Sequence, residues 1–189
     1  MQFITYEQFG PRFVAYAVTE ERVAASIGET AGRRVEEGPM PAGPGGIAEV
    51  RVDGLIGAPQ ITKKTGELLG FQAVLPIDLR LQVQLALTRH DYEADVRVPL
   101  QLTVRTAEPL RLVIQVADVN PADVDVDLRA SGSAAGLLQR VGDMESEVKK
   151  QVARTVNRRM TSARALAARE IDVLRLIEET SPDSAPPAE

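Results

Sequence analysis

The side chains best suited to acid–base chemistry lie together at one point of the chain. His90 is the one histidine among 189 residues, and Asp91 and Tyr92 follow it directly. A histidine beside a carboxylate can exchange protons near neutral pH and act as a general acid or base. No serine or cysteine with the flanking residues of a nucleophile motif accompanies it, so a catalytic triad is unsupported. We predict an exposed turn residue and no enzyme; an enzyme whose His90 and Tyr92 face a cleft is the alternative.

A group of four carboxylates, at Asp118, Asp123, Asp125 and Asp127, could bind a divalent cation, because such ions prefer oxygen ligands. The last three alternate with apolar residues, so they would share the wet face of one strand instead of converging on an ion. Acidic residues on a strand also block edge-to-edge pairing. With no cysteine and one histidine, thiolate and histidine-based sites are excluded. We predict neither a bound metal nor a cofactor.

The strongest charge feature is a basic run from Lys149 to Arg169, which holds seven cations and no acid in a chain of net charge −5. Arg154 and Arg158 in this run could bind the phosphate of a lipid headgroup or an anionic surface. The alternative is a solvated helix face that pairs with the acidic remainder of the protein. Nucleic acid is disfavoured, because the pI is about 5.1 and no aromatic residues lie among the arginines for base stacking.

The secondary-structure elements that would hold a functional site are predicted mainly from two long segments in which apolar and polar residues alternate. Odd positions are apolar over Phe71–Leu87, and even positions are apolar over Tyr92–Val104. This period predicts an antiparallel hairpin with one apolar face, joined by a turn at Thr88–Asp91 and spanning roughly 55 Å at about 3.3 Å per residue. Shorter alternating segments before and after it complete a meander. Pro76 and Pro99 each remove a donor, which predicts bulges or edge positions there.

Helical patterns occupy both ends of the chain. Thr5 and Gln8 have capping-box spacing, which predicts a helical turn that ends before Pro11, with Pro11 opening a second helix. Thr19 caps a further helix. The glycine- and proline-rich stretch 38–46 is predicted to be a surface loop.

A long helix is predicted at the carboxyl end. Apolar residues recur at three- and four-residue steps from Leu137 to Ala168, which predicts a helix of roughly 33 residues and about 50 Å. The predicted fold class is therefore α+β: a long, strongly twisted antiparallel meander wrapped around this helix, with N-terminal helices. We predict one elongated domain over residues 1–178 and a disordered acidic, proline-rich tail over 179–189. The absence of a secretory leader or a long apolar stretch predicts a cytoplasmic protein.

This order of elements resembles the tubular lipid-binding (TULIP) superfamily, which includes the synaptotagmin-like mitochondrial lipid-binding domains. The two alternating arms, Phe71–Leu87 and Tyr92–Val104, and the helix from Leu137 to Ala168 carry the resemblance. It is one of architecture and extends over roughly Val23 to Ala168. It implies a half-pipe of curled sheet around a long helix, with an acyl chain held in an apolar seam.

Two functions are consistent with these patterns. The leading prediction is a binding or carrier protein for a hydrophobic, lipid-like ligand with at most peripheral membrane contact. The alternative is a structural or protein-interaction module with a dry core, such as a homodimer. The residues predicted to line the ligand space lie on the two long strands and the helix: Phe71, Leu75, Leu79, Val83, Val98, Leu102, Val148, Val152 and Val156.

Overall fold

An eight-stranded antiparallel sheet and five helices form the fold in a computed structural model, which describes residues 2–28, 31–42, 44–64, 66, 68–130 and 138–180. The strands are β1 (Arg34–Ala42), β2 (Ala48–Ile56), β3 (Gln60–Lys64), β4 (Gly70–Leu85), β5 (Thr88–Ala107), β6 (Arg111–Val116), β7 (Asp125–Ala130) and β8 (Glu170–Asp172). The helices are α1 (Tyr6–Ala17), α2 (Glu20–Gly28), α3 (Leu138–Met160), α4 (Ala163–Ala167) and α5 (Val173–Thr180). The predicted α+β class and antiparallel sheet are confirmed, and the sheet is curled into a half-barrel.

The two longest strands, β4 and β5, form the centre of the sheet and pair without interruption. Shorter strands flank them end to end: β2 and then β3 pair with β4, while β7 and β6 pair with β5. The outer strands β1 and β8 extend the sheet beyond β2 and β6. A continuous hairpin therefore serves as the spine for two sets of half-length strands.

Pro76 and Pro99 lie where one flanking strand ends and the next one begins. The carbonyl of Pro76 accepts a hydrogen bond from the Gly57 N–H at 2.8 Å, in the gap between β2 and β3. Because the N–H and C=O of a strand residue point to the same edge, the donor that Pro76 lacks would have faced this gap. Pro99 lies between the segments of β5 that pair with β7 and β6. Both prolines leave the long strands unbroken.

The hairpin turn lies earlier than the sequence predicted. Leu85 pairs with Thr88, so the turn is Ala86–Leu87 and the predicted turn at Thr88–Asp91 is wrong. Ala86 has a φ of 51°, the left-handed backbone that two-residue hairpin turns require. Leu87 is fully exposed. Its apolar side chain extended the alternating pattern by two residues and concealed the turn.

The predicted loop at residues 38–46 is also wrong over its first half, which is part of β1. The register of β1 against β2 shifts between Glu37 and Met40, as in a β-bulge. Gly38 has a φ of +114° within this shift, and a Cβ there would meet the Val50 carbonyl oxygen at 2.5 Å. Only glycine fits this close approach. Gly38, which contributed to the prediction of a loop, is therefore the residue that permits the bulge.

Helix α1 runs through Pro11, contrary to the predicted break before it. The Thr5–Gln8 capping box is confirmed, with both reciprocal hydrogen bonds present. A proline normally disfavours helical backbone at the residue before it through contact with that residue's Cβ. Gly10 has no Cβ, so the helix continues at the cost of one hydrogen bond. Thr19 caps α2 as predicted, since its side chain accepts from the Arg22 N–H at 3.3 Å.

The C-terminal helix is shorter than the predicted 33 residues. Helix α3 has 23 residues and ends at Met160; a turn then separates it from the five-residue α4. The hydroxyl of Thr161 bonds the carbonyl oxygens of Asn157 and Arg158, which caps the end of α3. The predicted helix start at Leu137 lies outside the described residues. The predicted disordered tail over 179–189 is wrong at its first two residues, which end α5, and the rest of it lies outside the described residues.

Candidate hydrophobic ligand site

The apolar face of the central hairpin is one continuous surface. Alternate residues are buried along β4 from Phe71 to Leu81 and along β5 from Tyr92 to Val104. Phe71 pairs with Leu102 and Leu75 pairs with Val98, so the apolar positions of the two strands stand side by side. At about 3.3 Å per residue, the sixteen residues of β4 span roughly 50 Å.

Helix α3 packs its own apolar face against the hydrophobic cluster, and its nearest neighbours in the fold are β7 and the turn Pro121–Asp123. Val148, Val152 and Val156 recur at one-turn intervals, with Met144 and Met160 continuing the row at either end. All five pack against the buried cluster but are themselves only partly buried. The outer part of this row therefore stays accessible to solvent, while the apolar face of the sheet is buried.

The nine residues predicted to line a ligand site thus belong to one hydrophobic cluster. Five of them are buried, namely Phe71, Leu75, Leu79, Val98 and Leu102. The other four, Val83 and the three valines of α3, are partly buried. Their juxtaposition is a property of the structure; their contact with a ligand stays a prediction.

Further side chains border the same cluster and were missed by the sequence prediction. They are partly buried and come from the flanking strands and the ends of α3: Val50, Val52, Ile114, Val116, Leu128, Met144 and Met160. The short strands carry the same period-2 signal as the central hairpin, so their apolar parity could have identified five of these residues. We call the line along which Val148, Val152 and Val156 of α3 pack against the hydrophobic cluster of the sheet the apolar seam.

His90 and Tyr92 lie on strand β5, so the predicted turn position of His90 is wrong. His90 pairs with Val83 and is partly buried, while Tyr92 pairs with Leu81 and is buried in the cluster. Both share the parity of the apolar face, which places His90 at the hairpin end of that face. That the protein is not an enzyme stays a prediction.

Arg154 and Arg158 are both exposed on α3, four residues apart and therefore on one side of the helix. Arg154 donates to the side chain of Gln151 at 2.9 Å. Arg158 lies 4.0 Å from the carboxylate of Glu37 on β1. An anionic headgroup at Arg158 would compete with this carboxylate, whereas Arg154 has no acidic partner among the described ion pairs. The predicted anion site stays a prediction.

Two of the four carboxylates considered for a metal, Asp125 and Asp127, pair with arginines on the outer face of the sheet. Arg129 donates to Asp127 and, at 2.9 Å, to Asp95. Arg97 lies 3.7 Å from Asp125. The hydrogen bond from Arg129 holds the pKa of Asp127 below its ordinary value and raises that of Arg129. Within the described ranges, no three His, Cys, Asp or Glu side chains come together as a metal site.

A shallow recess of about 180 Å³ lies on the polar face of the sheet, near the hairpin end. Its lining is polar and comes from β2, β4 and β5: Glu49, Arg51, Gln82, Gln84 and Arg89. All five have the parity opposite to the apolar face, so this recess is separated from the seam by the sheet itself. The side chains that line it can form hydrogen bonds, and none of them is an apolar residue.

Eleven chains among the solved structures are similar to this chain. A crystal structure of lipopolysaccharide binding protein matches with a TM-score of 0.39 and 14% sequence identity. The match covers 84% of this chain and 40% of that chain, so this chain spans well under half the length of that protein. No protein family model matches the chain, and no curated protein does. The resemblance to the tubular lipid-binding superfamily therefore stays a sequence-based prediction.

None of the helices in the described part of the chain is both long enough and apolar enough to cross a bilayer.

Proposed function

We propose that the protein binds or carries a hydrophobic ligand with an acyl chain, held in the apolar seam between the sheet and α3. The observation that supports this proposal is a row of partly exposed aliphatic side chains on α3, beside the buried apolar face of the sheet. Val148, Val152 and Val156 face the cluster over three successive turns yet stay partly exposed. A row of half-covered aliphatic side chains is a surface that a hydrocarbon chain can complete.

The chemistry of such a ligand follows from the lining. The sheet and helix contribute aliphatic side chains almost throughout, and aromatics make up only 4% of the sequence. Each methylene removed from water contributes about 0.8 kcal/mol, so an acyl chain binds such a seam without a specific motif. Arg154, at the edge of the helix, can offer a charge-assisted hydrogen bond to a carboxylate or phosphate head.

Native mass spectrometry of the purified protein, together with solvent extraction and lipid analysis, tests the proposal directly. We expect co-purified lipid, and after its removal we expect a fluorescent fatty acid to bind with one saturable site. Val152→Phe should fill the seam and weaken this binding at least tenfold. Ser146→Phe is the matched control, because Ser146 is exposed on the same helix.

The alternative, a dry-core interaction module, predicts the opposite results. The central positions of the sheet are closed, with Ala73 and Val98 at 0% exposure, so only the helix side of the cluster can admit a ligand. A protein that carries no lipid, binds no fatty-acid probe and gains stability from Val152→Phe would have a cavity too small for a ligand. That outcome would overturn the carrier proposal.

A further inference from the structure

A row of exposed aromatic side chains runs along helix α1, outside the seam. Tyr6, Phe9, Phe13 and Tyr16 follow one another at steps of three and four residues, so they lie on one face of the helix. Their exposed fractions are 96%, 54%, 36% and 81%. The rings of Phe9 and Phe13 stack with 5.9 Å between their centroids. We call these four residues the aromatic stripe.

The stripe is presented to solvent while another face of the same helix holds it to the protein. Val14 and Ala17 pack against the hydrophobic cluster, and Val18, directly after the helix, is buried. The helix has no buried residue of its own. Large exposed apolar side chains on a helix that packs against the rest of the protein typically mark a site that contacts a membrane or another protein.

The charge around the stripe identifies the kind of surface that it fits. Between Gln2 and Val18, Glu7 is the one acidic residue and Arg12 the one basic residue, so the segment is neutral. The whole chain has a net charge of −5, so an anionic surface would repel it. A zwitterionic surface can take up the apolar side chains of the stripe without this electrostatic repulsion.

We propose that the aromatic stripe docks the protein onto a zwitterionic lipid bilayer, with α1 lying in the plane of the headgroups. Tyrosine rings have an apolar body and a polar hydroxyl, which suits the headgroup level, and the two tyrosines occupy the ends of the stripe. The two phenylalanines between them reach the acyl boundary. This docking surface goes beyond ligand binding in the seam and does not depend on it.

A protein partner fits the stripe less well than a membrane does. Standard protein interfaces involve about 20–30 residues a side around a buried core with a polar rim. The stripe belongs to one helix of 12 residues, and it forms a narrow ridge. An interfacial helix needs no opposing shape, because lipid chains adapt to the side chains that enter them.

The sequence offers a direct probe of docking, because the chain contains no tryptophan. Tyr6→Trp places a single fluorophore in the stripe. On addition of phosphatidylcholine vesicles we expect its emission to shift to shorter wavelength and to be quenched by brominated lipid, at low and at high salt. Leu166→Trp, on exposed α4, is the control and should show no shift. An unchanged Tyr6→Trp spectrum would overturn the proposal.

Two further measurements complete the test. Phe9→Ser combined with Phe13→Ser should weaken vesicle partitioning of the full chain at least tenfold, while circular dichroism confirms that the fold persists. Binding that is confined to phosphatidylglycerol vesicles and abolished by salt would point to the basic residues of α3 and would overturn the proposal. A dimer in light scattering that the double substitution dissociates, with no vesicle binding by either protein, would overturn it as well.

Discussion

The side-chain amide of Asn157 on α3 forms two hydrogen bonds with the backbone of Val119. Its Oδ1 accepts from the Val119 N–H at 2.8 Å, and its Nδ2 donates to the Val119 carbonyl oxygen at 3.0 Å. The Asn157 side chain thus pairs with the backbone of the connection between β6 and β7, as a neighbouring strand would. The next residue, Arg158, approaches Glu37 on β1, which lies at the other end of the strand order. One turn of α3 thus contacts both flanks of the curled sheet.

Replacing Asn157 with Ala should destabilise the protein by about 1–3 kcal/mol, because the partly buried N–H and C=O of Val119 lose their partners. Asn157→Asp keeps the acceptor but sets a carboxylate oxygen against the Val119 carbonyl oxygen, so at neutral pH it should destabilise the protein at least as much as Ala. Chemical denaturation followed by circular dichroism measures both free energies of unfolding. Equal stability of the Ala variant and the parent would show that water replaces the amide without loss.

Gly38→Ala should destabilise the protein by more than about 1 kcal/mol, because a Cβ at this positive φ meets the Val50 carbonyl oxygen. Gly66→Ala is the matched control, since its nearest atom would lie at 3.7 Å. The same denaturation experiment compares the two. If both substitutions had equal effects, the β1 bulge would not require glycine.

The pairing of Arg158 with Glu37 should contribute modestly, since the two side chains are 66% and 35% exposed. A double-mutant cycle of Arg158→Gln and Glu37→Gln should give a coupling of about 0.2–1 kcal/mol that declines with added salt. A coupling that does not change with salt would contradict an ion pair across the seam.

The carboxyl of Asp127 should titrate below its usual value near 3.8, because Arg129 donates a hydrogen bond to it. A lowered pKa in the folded state means that this contact adds stability above the unfolded-state pKa and loses it as pH falls through the folded-state pKa. Arg129→Gln should therefore raise the pKa of Asp127, as followed by NMR of its carboxyl carbon. An unchanged titration would show that Arg129 does not stabilise the carboxylate.

The central hairpin could be predicted from sequence because its signal is purely local. Side chains of a strand alternate between faces, and both long strands keep that alternation almost without error. The position of the turn could not be predicted, since the exposed Leu87 continues the pattern beyond the strand. The predictions at Gly38 and Pro11 were wrong for a related reason, since glycine and proline usually end a strand or a helix. Here a β-bulge accommodates Gly38 within β1, and the preceding Gly10 accommodates Pro11 within α1.

Long-range contacts of the candidate site were beyond the reach of sequence patterns. The valines of α3 were predicted as an apolar face, but their incomplete cover depends on the distance between helix and sheet. The bond between Asn157 and Val119 joins residues 38 positions apart, and neither type predicts the other. The exposure of the α1 aromatics likewise could not be read from their helical spacing, which is the same for a buried and an exposed face.

The prolines of the central hairpin have a mechanical consequence. At the row where Leu75 pairs with Val98, neither long strand has a registered outer partner, so the described sheet narrows there to a two-stranded ribbon. Ribbons of two strands coil more readily than broad sheets. The described sheet therefore has a waist at this row, between the part built on β2 and β7 and the part built on β3 and β6.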